Sequence, residues 1–468
     1  MMNSLQFIKP ELVLTAAGLM LLVCGVFGLR RKPLGLIALM AIVIGFFSLP
    51  MTLDSSSMVF SGMLTNDVFS FVMRALVLVA TGLAVLMSIG YSWSDHDDAG
   101  EYYFFLLVAA ISMMLTVSAT NLLMIYLAIE TLSIVSYVLA CSFKKDLYST
   151  EAGLKYFLFG ALSTGIMLYG ISLVYGLLGT LSLPAIGLKL AAGGIHEPTL
   201  VLAGLLVFAG FAFKASLVPF HMWVADVYEG APWPVAAFFS IGPKAIGFAL
   251  LARVFFGFPA FLTSGWEGIA VFLAIATMTI GNFSAFHQES VKRLLAFSSV
   301  AQAGYILAGL AAGVLGLKAA FFYIVIYTFM NMGAFACASF LSSERAPLES
   351  FKGMGRRAPG WALVFSIFLL SLAGLPPLAG FLAKFFVLVA VIDVKQYFLA
   401  TAVVVNSVVA FFYYLKVIKV MYFEDSPDSQ PIRIPVSGMI VLAICLSAVL
   451  LFGFWPQLIM NILALIFA

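Results

Sequence analysis

Runs of roughly 20 mostly apolar residues, the length an α-helix needs to cross a bilayer, follow one another almost without pause from Pro10 to Ile466. Of the 468 residues, 63% are hydrophobic and only 10% are charged, whereas a soluble chain needs about 25% charged residues to cover its surface. The deficit runs the whole length of the chain, so lipid rather than a water-facing shell is its solvent. An all-α membrane protein is expected, with fourteen spans near residues 10–29, 34–52, 67–91, 102–119, 121–142, 153–180, 200–219, 234–256, 267–286, 294–313, 318–342, 360–392, 396–422 and 436–466. The sixth and twelfth are long enough to tilt or break. Lys9 and Glu11 precede a first apolar run with no small-residue cleavage site after it, so it reads as a retained span rather than a signal peptide.

The same composition excludes several function classes. Net charge is only +3, and no basic run exceeds Arg30-Arg31-Lys32, so nucleic acid has no electrostatic footprint to bind. Cys24, Cys141, Cys337 and Cys445 lie far apart in apolar stretches, without the spacing of a metal, haem or Fe–S site. No Gly-rich fingerprint follows a strand, so NADH and flavin have no site either. The chain is expected to carry no cofactor of its own.

Orientation follows from Lys and Arg in the short loops. With the N-terminus outside, the inside set is Arg30, Arg31, Lys32, Lys144, Lys145, Lys155, Lys292, Arg293, Arg345, Lys352, Arg356, Arg357, Lys416, Lys419 and Arg433. The outside set is Lys9, Lys189, Lys318 and Lys395. Fifteen against four puts both termini outside. The acidic loop Asp95-His96-Asp97-Asp98 falls inside, but acids count little in this rule.

Five basic residues remain: Arg74, Lys214, Lys244, Arg253 and Lys384, with Glu130 as the acid deep in a span. An ionisable group at that depth costs about 2.5–3.5 kcal/mol on insertion scales, and persists where it pairs, lines a hydrated cavity or carries function. A packing staple between Glu130 and one lysine would leave two lysines without a purpose. Three lysines and one glutamate on successive spans read instead as a relay. Arg74 and Arg253 read as structural, Arg74 pairing with Asp67 two helical turns away.

Proline and glycine sharpen this. Pro219 follows Lys214 by five residues, and Gly374-Leu375-Pro376-Pro377 precedes Lys384, so the seventh and twelfth spans are expected to break. Non-helical backbone at membrane depth is tolerated only inside protein or along a cavity. Broken spans in corresponding positions of two halves point to an ion pathway between inverted repeats. The expected layout is three N-terminal helices (1–101), a five-helix repeat (102–265), a second inverted five-helix repeat (266–425) and a final helix (426–468). Gln302 in the tenth span then stands where Glu130 stands in the fifth.

The stretch FKASLVPFHMWVADVYEGAPWPVAAF, Phe213 to Phe238, resembles the signature of the antiporter-like membrane subunits of bacterial proton-pumping NADH:quinone oxidoreductase, respiratory complex I. Asp226 to Pro232 favours the N type over the L and M types. Pro10-Glu11-Leu12, Lys292 to Ser299, and Ala373 to Pro377 with Lys384 agree. The chain also stops just after its fourteenth span, without the long lateral helix of the L type. By position, the resemblance implies that Glu130, Lys214, Lys244 and Lys384 carry protons, with His221 bridging Lys214 and Lys244. Where some relatives have histidine, this chain has Gln302, which exchanges no proton near neutral pH. The resemblance further implies NAD, FMN, Fe–S clusters and quinone in partner subunits, and M-type and small K- and J-type membrane subunits as partners. It implies a place in the bacterial inner membrane. Rivals are the homologous subunit of a Na⁺/H⁺ antiporter or membrane-bound hydrogenase, a solute transporter, and a structural subunit with a buried ion pair.

Overall fold

Backbone amides in hydrocarbon find no water, so spans close their hydrogen bonds within helices. A computed structural model describes residues 2–49, 57–91, 93, 98–192, 197–256, 266–342, 344–425, 432 and 434–467. Of the residues weighed for orientation, Asp95, His96, Asp97 and Arg433 lie outside that set. In chain order the elements begin α1 (Met2–Phe7), α2 (Lys9–Val26), α3 (Arg31–Phe47), β1 (Ser57–Val59), β2 (Leu64–Asn66), α4 (Val68–Gly90), α5 (Ala99–Ser118) and α6 (Leu122–Ala140). Next come α7 (Leu147–Leu178), α8 (Leu183–Ala192), α9 (Glu197–Ala215), α10 (Val224–Gly230), α11 (Trp233–Leu250), α12 (Trp266–Phe286), α13 (Val291–Leu310) and α14 (Gly313–Leu341). The chain ends with α15 (Met354–Arg357), α16 (Pro359–Ala373), α17 (Ala379–Asp393), α18 (Tyr397–Phe423), α19 (Val436–Phe454) and α20 (Gln457–Ile466).

Among the described residues, 12 helices are long and apolar enough to cross a membrane. They match every expected span except the second and twelfth. The second is α3, which has 17 residues. The twelfth is split into α16 and α17, of 15 residues each. The sixth does not break: α7 runs for 32 residues and ends where Gly179 adopts φ 63°. An interruption not expected from the sequence falls at Trp455-Pro456, between α19 and α20. Among the described residues the chain is all-α apart from one small hairpin, with shorter apolar helices beside the 12 candidate spans.

The chain divides into two compact units, residues 1–85, 94–216 and 242–266 in one, and residues 86–93, 217–241 and 267–468 in the other. In the first, β1 and β2 pair antiparallel, with Val59 opposite Leu64. The turn between α5 and α6 is threaded between that hairpin and the loop after α7. Thr120 donates from its amide to Met63 O (2.9 Å), and its carbonyl accepts from Leu183 N (2.9 Å). Asn121 then caps α6, its side chain accepting from Leu123 N.

Arg74 is fully buried, but its partner is not Asp67. Its Nη2 donates to both carboxylate oxygens of Glu11 at 2.7 Å and to Phe7 O at 3.0 Å. Asp67 pairs instead with Arg253, at 3.0 Å. The expected pairing used sequence distance along α4; the observed one joins groups 63 residues apart. Both arginines are held in ion pairs, and breaking the buried one, Arg74 with Glu11, would cost about 3–5 kcal/mol.

In the second unit, α13 is buried at every position from Ser298 to Leu310 and packs on α14 and α17. Helices α16, α17 and α19 also pack on α14. Cys337 and Cys445 are buried there.

Candidate functional site

In the first unit, α9 ends at Ala215 because Ser216 takes φ 59° and Pro219 supplies no amide to carry the helix on. Lys214 is left in the last turn, 1% exposed. Its Nζ lies 5.6 Å from the centroid of the Tyr156 ring and 5.5 Å from that of Phe213, and has no hydrogen-bond partner among the described residues. The carboxylate of Glu130, on α6, lies within electrostatic reach of Lys214. Glu130 Oε2 is itself buried without a hydrogen-bond partner. Glu130 and Lys214 thus lie in one unit without a hydrogen bond or ion pair between them among the described residues.

Lys244 sits on α11, directly after Pro243, and is 2% exposed. One turn further on, Gly247 lets α11 lie against the end of α9. A Cβ at Gly247 would stand 2.6 Å from Ala215 N and 3.0 Å from the Lys214 carbonyl carbon. Glu130, Lys214 and Lys244 therefore all belong to the first unit.

His221 and Lys384 belong to the second. His221 lies in the irregular segment between α9 and α10, is 9% exposed, and accepts through its carbonyl from Val224 N at 3.0 Å. Lys384, on α17, is 7% exposed. α16 stops at Gly374, which takes φ 91°, and its last carbonyls need partners. Lys384 Nζ donates to Ala373 O (2.9 Å) and Gln302 Nε2 donates to Leu372 O (3.1 Å). Lys384 Nζ also lies 4.6 Å from the centroid of the Tyr305 ring.

Gln302 is buried completely. Its Nε2 also donates to the Tyr414 hydroxyl (3.2 Å), and its Oε1 accepts from the Tyr323 hydroxyl. Tyr414 in turn shares a 2.5 Å hydrogen bond with Ser298. Asn282 donates to Tyr305 and to Asn406 and accepts from Tyr413. These hydroxyl and amide groups form a polar seam around α13 that no charge pattern in the sequence announced.

Besides Glu11, a second residue placed outside the spans is a buried charge. Lys292, counted among the loop residues, is 0% exposed. It donates to Ala231 O at 2.7 Å, lies 4.7 Å from the Trp233 ring centroid and stands 3.6 Å from Glu344. Beside it Arg293 binds Asp226 (2.9 Å) and Glu229 (2.6 Å). The spacing of Asp226 and Glu229, three apart on one helix face, was the available signal. Among the described residues, no group of three or more His, Cys, Asp or Glu could hold a metal ion.

Residues 119–410 match the family described as NADH:quinone oxidoreductase/Mrp antiporter, TM. NADH-quinone oxidoreductase subunit N 1 of Rhizobium meliloti is 40% identical over 459 residues, covering 96% of this chain and 94% of the relative. A chain of respiratory complex I from Thermus thermophilus with bound aureothin is 32% identical, with a TM-score of 0.83, covering 97% of this chain and 99% of that one. A chain of the Mrp complex from a Dietzia species is 21% identical, with a TM-score of 0.84, covering 100% of this chain and 97% of that one. At that identity it shares the fold and nothing more is carried over.

Proposed function

The chain belongs to the NADH:quinone oxidoreductase/Mrp antiporter family, and from that premise we propose that Glu130, Lys214, Lys244, His221 and Lys384 are the proton relay of an N-type membrane subunit. It is a translocase subunit of NADH:quinone oxidoreductase, works in the membrane with other membrane subunits of that complex, and does no redox chemistry itself. NAD, FMN, Fe–S clusters and quinone belong to partner subunits. Of the rivals, the antiporter reading has a fold neighbour in the Mrp complex at 21% identity, against 40% for the subunit N relative.

The observation that carries the relay is the Glu130–Lys214 pair: opposite charges in electrostatic reach, with Lys214 Nζ buried and without a hydrogen-bond partner among the described residues. The Glu130 carboxylate holds the Lys214 ammonium by attraction alone. A displacement in a neighbouring subunit that weakens this attraction by about 1–3 kcal/mol, a typical coupling energy, frees the proton to pass to Lys244 through water and His221. Lys384 receives it on the way to the outer face. Energy comes from quinone reduction elsewhere in the complex. The division into repeats 102–265 and 266–425, the second inverted, is part of the same proposal, as are the periplasmic termini and the inner-membrane site.

Replacing Glu130 tests it. Glu130→Ala, assembled normally, is expected to lower proton pumping about tenfold or more, the size of a typical coupling, while Glu130→Asp keeps part of it. Proton uptake by inverted membrane vesicles is the measurement. Parental pumping by an assembled Glu130→Ala complex removes Glu130 from the relay.

A further inference from the structure

Between α17 and α18 lies a cavity of about 330 Å³, and Lys384 lines it. Its wall includes Leu375, Phe385, Val404, Val408 and Phe412, all of them exposed on the outside of the helices. Only two lining side chains are polar, Lys384 and Ser407, and the Ser407 hydroxyl is spent on Val403 O in its own helix. The α18 residues of the wall, Val403 to Phe412, occupy the middle of a helix running from Tyr397 to Phe423. The opening therefore lies at the depth of lipid acyl chains. An apolar slot with one lysine in its lining is a different object from an ordinary lipid-facing surface, where a charge is expensive.

We propose that this cavity binds a single-chain carboxylic acid, a free long-chain fatty acid, with its head on Lys384 and its tail lying out through the opening. Charge complementarity sets the sign of the head group. The cavity holds one cation and no acid. Of the three donors of a lysine ammonium, one is used by Ala373 O. Depth sets the chemistry of the head. A phosphodiester is ionised at any working pH and stays with the other head groups, because carrying a charge to the bilayer centre costs several kcal/mol. A carboxylic acid crosses the acyl region neutral. Where Lys384 stands as the amine, the acid's O–H bond breaks and the proton joins the lysine nitrogen; either way the ammonium that the slot presents ends paired with a carboxylate. No other reactant is needed. The pair fixes the charge on Lys384, so the bound acid slows any proton traffic through that residue. Binding itself does not depend on the relay; only this inhibition rests on it.

The test uses the assembled complex in its membrane and a palmitic acid carrying a diazirine in its chain, with the methyl ester of the same probe beside it. The acid is expected to label the segments 381–388 and 403–412. Losing the head-group ion pair should lower labelling by about tenfold for the ester, and Val408→Trp, which fills the opening, should lower it as far. Val408→Trp should pump at the parental rate without fatty acid and resist its inhibition. Equal labelling by acid and ester overturns the proposal, because the slot would then recognise only a chain. So does absence of labelling in these segments, or cross-linking of them to another protein subunit. The ester comparison uses the parental chain and stands even where the tryptophan variant fails to assemble. A relay failure shows in Glu130→Ala pumping and leaves the labelling pattern unchanged, so the two results separate.

Discussion

Lys384 touches two groups that do not titrate in the working range, the Ala373 carbonyl and the Tyr305 ring. The carbonyl is the last of α16, so the ammonium sits at the negative end of a half-helix, where a cation is favoured. An electrostatic fixture at that place needs only a positive charge, and arginine would serve. A proton carrier must let go, and a guanidinium does not. Lys384→Arg and Lys384→Ala are therefore both expected to lower pumping, by roughly 100-fold if a positioned proton-transfer group is lost, in assembled complex assayed for NADH oxidation and proton uptake in inverted membranes. Near-parental pumping by the arginine variant makes Lys384 a fixture. The candidate lysines were legible in the sequence because charge inside an apolar run is conspicuous. Lys292 was not, because a lysine at a helix start looks the same in sequence whether its ammonium points to water or, as here, to Ala231 O and the Trp233 ring. The pairing of Arg74 with Glu11 was hidden for a related reason: nothing local tells α4 which earlier helix it meets.

At the scale of elements, both breaks were readable, since Pro219 and Gly374 to Pro377 each stop a helix by a local steric and hydrogen-bonding cause. Short pieces were not. Three-residue strands such as β1 and β2 have too few positions to show an alternation, and the Trp455-Pro456 interruption was absorbed into an apolar run long enough to span without it. Helix-to-helix approach is carried by glycines whose role appears only in three dimensions. Gly247→Ala would drive a methyl to 2.6 Å from Ala215 N, and backbone cannot step aside as a flexible side chain can. Overpacking of this kind costs about 1–3 kcal/mol. Gly247→Ala is expected to lower the thermal midpoint of the solubilised complex and to reduce pumping through the displaced end of α9. Gly165→Ala, which meets nothing within 4 Å, should change neither. Equal behaviour of the two variants would show that α11 and the end of α9 do not depend on this close approach.

For the whole molecule, the expected spans and the bias of basic loops predict a topology that one labelling experiment checks. Lys144 and Lys145 are exposed between α6 and α7, and Arg356 lies 80% exposed after α14; both sites are expected on the cytoplasmic side. With Cys24 and Cys141, the two cysteines that are not buried, changed to Ser, a Lys145→Cys chain should resist a membrane-impermeant maleimide in intact cells and react in inverted vesicles. Labelling from outside the cell inverts the topology. The split twelfth span also bears on how the protein is made. Each of its halves has 15 residues, about 22 Å of helix, against roughly 30 Å of hydrocarbon, and the second half carries a lysine. Neither half can settle in a bilayer alone at the moment it leaves the ribosome. Helix α14, made earlier and packed against both halves, gives them a protein surface to join, so biogenesis has an order written into it: the split span settles on a wall already standing.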